Sequence, residues 1–394
     1  MKSKMQRGAP AALTSFVIAA LTIELADELV DGATGAAWPY LQADLQLNYT
    51  QIGLLLGLPA IFANIVEPLF GLLADAGYRR HIVLGGGVAF ALALGLTALA
   101  GNFWGLLISF LLFYPASGAF VSLTQAAWME AEPARQEQNM ARWTLAGSVG
   151  NVVGPLLIGA AVAVGVGWRP VFGVLAVLSV MALSMIWRAP GSAQKRHARQ
   201  ASLMESLRHA FQSLRRPPVL DSLLLLETSN FMLDVFRAFL ALYLVDAVHT
   251  TPAQAALAVA LLTGVGLLGD VLIIPLLEKI SGVAFVKGSA ALVSLVFVAF
   301  LLLPGLGWKL ACVALIGLFT SGWYAVLQAR LYQLLPDHGG TVVALGSITG
   351  MLGAAIPPLL GVLADRYGVQ NALWLLVLGP LTLVWRLPAV TFRR

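Results

Sequence analysis

The run Glu24-Leu-Ala-Asp27-Glu28-Leu-Val-Asp31 places four carboxyls inside an otherwise apolar stretch. Their spacing of i, i+3, i+4 and i+7 sets all four on one face of a helix. The pattern returns further along as Glu227, Asn230, Asp234 and Arg237, again on one face. Glu67 and Asp270 each add an acid to an apolar run that follows one of these stripes. A charge near a bilayer centre costs at least ~2.5–3.5 kcal/mol, so such side chains face a cavity or a partner. Together they predict a polar cavity lined by the helices carrying the two stripes and approached by those carrying Glu67 and Asp270. The plainer alternative is that these acids cap helices or pair structurally. On that reading Asp31 sits near the outer surface and Arg237 neutralises Asp234 one turn away.

Such a site suits proton coupling. A water-poor interior and like-charged neighbours favour the neutral carboxyl, so a proton can be loaded and released. The same acids could instead bind Na⁺ or a cationic substrate. Internal positive charge is sparse, limited to Arg237, Arg330 and Arg142. An acid-dominated cavity therefore favours cationic or zwitterionic cargo. Arg330 faces that cavity or snorkels to the cytoplasmic surface. Trp128, Trp143, Trp323 and Tyr324 line it or, more simply, pack and anchor helices.

The elements that position these residues are read from apolar runs. Of the 394 residues, 59% are hydrophobic and 11% charged. Soluble domains average about 45–50% apolar and about 25% charged. A hydrocarbon core of about 30 Å needs roughly 20 apolar residues per helix. Runs of that length recur at about 12–37, 51–74, 82–101, 105–129, 141–164, 169–187, 219–245, 254–277, 283–303, 308–334, 342–365 and 371–390. Each run is continuously apolar, which argues for helices over a barrel. The expectation is an all-α membrane protein of 12 transmembrane helices. Residues 1–187 and 219–394 form two six-helix bundles, joined by a basic linker at 188–218 with a short amphipathic helix around Leu203–Leu214. The first run, with its four acids, reads as a retained helix rather than a cleaved signal. Lys and Arg concentrate on one side, at Arg79, Arg80, Arg135 and the linker among others. The positive-inside rule then puts both termini in the cytoplasm, and the chain in the inner (plasma) membrane.

An internal repeat is the most informative pattern. Shifting the sequence by 203 residues aligns Glu24 with Glu227, Asp31 with Asp234, Gln51 with Gln254 and Glu67 with Asp270 without a gap. Gly147, Gly150 and Pro155 meet Gly350, Gly353 and Pro358. Matching acids inside apolar runs are hard to obtain by chance. Six helices per half is an even number, so the halves share one orientation and form a parallel repeat.

Two loops and helices carry further motifs. Residues 71–80 read GLLADAGYRR. This run resembles motif A of the major facilitator superfamily through Gly71, Asp75, Arg79 and Arg80. The resemblance implies a cytoplasmic latch in which Asp75 caps a neighbouring helix and pairs with a basic residue. The repeat copy, IPLLEKISG, retains Glu278 but is degenerate. Residues 150–159 read GNVVGPLLIG. With Gly150, Gly154, Pro155 and Gly159 they resemble motif C of drug–proton antiporters, with Ile158 in place of a glycine. Physically, small residues there let helix backbones approach closely. The acids of the first helix, then WPYLQADLQLNYTQIGLL and EPLFGLLAD, resemble the fosmidomycin-resistance branch. The resemblance implies the major facilitator fold, alternating access and a monomer.

No cofactor is expected. The histidines at 81, 197, 209, 249 and 338 form no metal-ligand pair at helical spacing, and no Gly-rich Lys-Ser/Thr phosphate loop is present. Cys312, the single cysteine, permits no internal disulfide. The basic charge follows the loops, so nucleic acid is not expected as a partner. The partners are the bilayer, protons and a small molecule. The leading expectation is proton-coupled efflux. Proton- or sodium-coupled uptake is the alternative. A lipid-modifying enzyme lacks a nucleophile–base constellation, and a channel would show polar rings.

Overall fold

The computed structural model describes residues 8–132, 136–188, 212–277, 279–335 and 339–387. Nearly all of them are helical. The twelve helices are α1 (Gly8–Leu45), α2 (Tyr49–Leu73), α3 (Arg79–Leu99), α4 (Phe103–Ala131), α5 (Gln136–Ala163) and α6 (Arg169–Arg188). They continue with α7 (Pro217–Asp246), α8 (Pro252–Leu277), α9 (Gly282–Leu302), α10 (Leu306–Leu331), α11 (Leu345–Tyr367) and α12 (369–386). Among the described residues, 10 helices are long and apolar enough to cross a membrane. The acid-bearing α1 and the broken α12 complete the set. Helix α1 continues through Pro39 to Leu45, past the end expected from hydropathy; membrane helices tolerate proline where neighbours re-satisfy the backbone. The basic linker, including most of the short helix expected around Leu203–Leu214, and Glu278 lie outside the described residues.

Two compact units form. One comprises Met1–Thr34 with Leu58–Gln200, the other Gly35–Gly57 with Ala201–Arg394. The C-terminal end of α1, the turn after it and the start of α2 therefore belong to the second unit.

The repeat seen in the sequence is repeated in local geometry. At the start of α2 the Asn48 amide donates to Gln51 Oε1 (3.0 Å) and the Gln51 amide to Asn48 Oδ1 (2.8 Å). At the start of α8 the Thr251 amide donates to Gln254 Oε1 (3.0 Å) and the Gln254 amide to Thr251 Oγ1 (3.3 Å). Both are reciprocal capping boxes, which satisfy amides that a helix start leaves orphaned. This explains why Gln51 and Gln254 coincide under the 203-residue shift.

In the first unit α1 and α5 touch through their backbones. A Cβ on Gly150 would lie 2.8 Å from Leu25 O and from Leu29 N, and one on Gly154 would lie 2.6 Å from Ala33 N. The motif C glycines Gly150 and Gly154 are thus a packing seam, with Ile158 fully buried beside them. In the second unit Lys309 is buried at 5% exposure. Its ammonium donates to Tyr243 Oη (2.7 Å) and Phe300 O (2.6 Å) and lies 5.0 Å from both ring centres. A carbonyl, a phenol and two ring faces thereby replace its water.

Candidate functional site

The first unit gathers the acids of α1 against α2, α4 and α5. Glu24 is 6% exposed, and the charges acting on it are Glu28 and Asp27. It seats against Gly147 of α5, where a Cβ would lie 2.6 Å from its Oε1. Gly147 is small because a carboxyl occupies the space. Asp27 accepts a hydrogen bond from the Ser117 hydroxyl (2.8 Å). Glu28 accepts from the Asn151 amide of α5. Glu67 of α2 lies against Gly118, where a side chain would collide with its carboxyl. Gly118 opens a π-helical stretch, Gly118–Ser122, that widens α4 by one residue. Such bulges occur often at functional sites. Asp31 is exposed on α1. Among the described residues no lysine or arginine pairs with Glu24, Asp27 or Glu67.

The second unit holds the corresponding stripe with different surroundings. Glu227 of α7 lies beside Thr349 of α11, whose hydroxyl donates to Leu345 O (2.9 Å), while Glu227 Oε2 is buried with no partner among the described residues. It seats against Gly353, the repeat counterpart of Gly150. Asn230 is part-buried at the position matching Asp27. The next residues, Phe231–Val235, form a π-helical stretch in α7. Asp234 pairs with Arg237 (3.4 Å) at the exposed end of the stripe. Asp270 of α8 accepts from the Gly322 amide (3.2 Å). That amide is free because α10 breaks there, with extended Ser321 (ψ 138°) followed by Gly322 at φ +71°. Glu67 and Asp270 are thus counterparts that both address an irregular point in the fourth helix of their half.

Arg330 sits late in α10 with Asp221 (3.9 Å), which also pairs with Arg386 of α12 (3.4 Å). It belongs to an ion cluster with α7 and α12, near the start of α7. Arg142 is exposed, with Asn139 within 3.5 Å. The tryptophans are mostly structural: Trp128 and Trp323 are fully buried, and Trp323 Nε1 donates to Ser289 (2.8 Å). In the motif A loop Arg79 makes a two-pronged pair with Glu130 (2.6 and 3.0 Å), and Arg80 donates to Trp187 O (3.0 Å). The chain turns there at Gly77, φ +104°. Nothing lies within 4 Å of a Cβ built on Gly71. The Asp75 side chain is outside those described.

Sequence reasoning missed Ser117, Asn151, Thr349 and Gly118; it picked out Gly147 and Gly353 through the repeat without giving them a carboxyl to seat. Only Asn151 carried a signal, because it lies inside the motif C run beside Gly150. Among the described residues no group of His, Cys, Asp and Glu is arranged to hold a metal ion.

Among the described residues, twelve helices fall into two repeated halves, with Glu24 and Glu227 seated against glycines on related helices, the architecture of a membrane transporter rather than an enzyme. The Major Facilitator Superfamily model matches residues 17–358, and the chain belongs to that family. It is 25% identical over 369 residues to the fosmidomycin resistance protein of Escherichia coli K12, covering 91% of this chain and 89% of that one. It is 35% identical over 157 residues to a chloramphenicol resistance protein of Pseudomonas aeruginosa, covering 39% and 36%. Among solved structures it resembles a bacterial homologue of the human lysosomal transporter Spinster, in an inward-facing, unoccupied conformation. The TM-score there is 0.75 at 17% identity, over 96% of this chain and 95% of that one.

Proposed function

We propose that the chain is a proton-coupled exporter of a small cationic or zwitterionic molecule, working by alternating access. It sits in the plasma (inner) membrane as a monomer with both termini cytoplasmic. The observation that carries this reading is Glu24, a carboxyl 6% exposed whose charged neighbours are Glu28 and Asp27. A buried carboxyl without a cation takes up a proton or a positively charged ligand. When it is empty, like charges repel; when it is loaded, the cluster can tighten. Differential affinity of this kind is what an alternating transporter needs. The two relatives named for drug resistance support the outward direction.

The test uses proteoliposomes loaded with a pH-sensitive dye under an imposed proton gradient. Cationic, zwitterionic and anionic compounds are added in turn. Proton flux evoked by cationic or zwitterionic compounds, and absent in Asp27→Asn and Glu28→Gln, supports the reading. Cargo movement that follows a sodium gradient, or none, with no proton flux, rejects it.

A further inference from the structure

The start of α2 is held by the far end of the chain. Both carboxylate oxygens of Asp365, near the end of α11, accept from the first turn of α2. The Tyr49 amide donates to Oδ1 (2.8 Å) and the Thr50 amide to Oδ2 (2.8 Å). With the Gln51 amide taken by Asn48, the first three amides of α2 are all satisfied. The Tyr49 hydroxyl donates in turn to Asp246, the last residue of α7. Beneath these bonds the backbones meet. Gly53 and Gly57, one turn apart, lie against Pro357-Pro358: a Cβ on Gly53 would be 2.7 Å from Pro358 Cα, and one on Gly57 2.6 Å from Pro358 Cγ. Gly361 lies against Tyr49 O and Thr50 Cα. These contacts carry residues 35–57 into the second compact unit, although the rest of α1 and α2 belongs to the first.

The arrangement occurs on one side of the repeat only. The counterpart of Tyr49 is Pro252, which has no amide to donate. The counterpart of Asp365 is Val162, and that of Asp246 is Ala43. A helix cap needed for folding would be expected in both halves, as the two capping boxes are. A device present in one half serves something the halves do not share.

We propose that Asp365, with Asp246 and Tyr49, is a charge-on-helix latch that holds the α1–α2 turn onto α11 and α7, and releases it when the transporter opens on that face. Carboxylate on amide at a helix start is favourable through both the hydrogen bonds and the helix dipole. The carboxylate is solvent-exposed, so the latch is strong enough to bias a population and weak enough to break during a cycle. The glycine faces let the helices separate without unthreading interlocked side chains. The latch does not depend on which molecule is carried. Its placement on the outer face rests on the orientation proposed above.

The test introduces Ile52→Cys, a position with 0% exposure beside the latch. Labelling by a membrane-impermeant maleimide is followed in intact cells. The chain without the introduced cysteine gives the background, since Cys312 is buried. Asp365→Asn and Asp365→Ala should raise the labelling rate about tenfold, in line with the loss of hydrogen bonds to a charged group. Tyr49→Phe should raise it by a smaller factor, and Arg366→Gln, a change of neighbouring charge, should leave it unchanged. Unchanged labelling in all the Asp365 and Tyr49 variants overturns the latch. Should Asp365→Ala fail to fold, Asp365→Asn and Tyr49→Phe carry the test. If only a permeant maleimide reacts and the Asp365 effect persists, the latch stands and the assigned orientation falls.

Discussion

The two halves share a frame and differ in charge. In each, a glutamate of the first helix seats on a glycine of the fifth: Glu24 on Gly147, Glu227 on Gly353. In each, an acid of the second helix addresses an irregular point of the fourth: Glu67 at Gly118, Asp270 at Gly322. Around that frame the chemistry diverges. Asp27 becomes Asn230, and Glu28 becomes Phe231. Asp31 becomes Asp234, which is paired with Arg237. Asp270 receives a backbone amide. Where the first half has Glu24, Asp27 and Glu28 together on α1, the second has Glu227, Asn230 and Phe231, and its Asp234 has an arginine partner. Under the proton coupling proposed above, the first half is the expected carrier of the proton.

The largest effect should come from taking the acids out one half at a time. Glu24→Gln or Asp27→Asn should reduce substrate-evoked proton flux to that of protein-free vesicles, while Glu227→Gln retains most of it. Equal loss from Glu227→Gln would break the comparison and make the site a shared one. The next largest effect comes from making the second half resemble the first. Asn230→Asp with Phe231→Glu adds two carboxyls to α7 without a cation. At ~2.5–3.5 kcal/mol for a charge at the helix centre, the level of folded protein in membranes should drop sharply. Normal levels would mean that α7 faces water at these positions.

The frame itself has a measurable stiffness. Gly154→Ala places a methyl against the α1 backbone, where overpacking typically costs about 1–3 kcal/mol. The thermal midpoint in detergent should fall by several degrees. Gly346→Ala, where nothing lies within 4 Å, should leave it unchanged. A loss of transport in Gly154→Ala without a thermal shift would instead give the motif C glycines a direct part in the cycle.

Much of this was legible before any coordinates. Apolar runs near 20 residues reveal membrane helices because the bilayer imposes their length. The 203-residue repeat is visible because buried acids are rare enough to align by identity. The partners were not legible. Ser117, Asn151 and Thr349 are ordinary polar residues whose roles depend on which helix faces which, and that contact is long-range. Arg330 shows the same limit: its position late in α10 fits a cavity or a helix end equally well, and only the approach of Asp221 and Arg386 decides. Asp365 was overlooked for another reason. GVLAD at 361–365 echoes GLLAD at 71–75, but lies off the 203-residue register, so the repeat does not reveal it.

The smallest expected effect is also the sharpest check on the second half. In the Asp234–Arg237 pair the side chains are 63% and 24% exposed and one turn apart on the same helix. Exposed pairs of this kind contribute about 0–1 kcal/mol once solvent screening is counted. Arg237→Gln should therefore shift the thermal midpoint by no more than about two degrees and leave proton flux within about twofold of the parent. The double variant Asp234→Asn with Arg237→Gln should behave like the single one, because an exposed carboxylate is solvated with or without its arginine. If Arg237→Gln alone abolishes transport and the double variant restores it, the pair is neutralising a charge that matters to the cycle. The acid surplus of the first half would then be balanced by an acid held in reserve in the second, and the division of labour between the halves would have to be redrawn around Asp234.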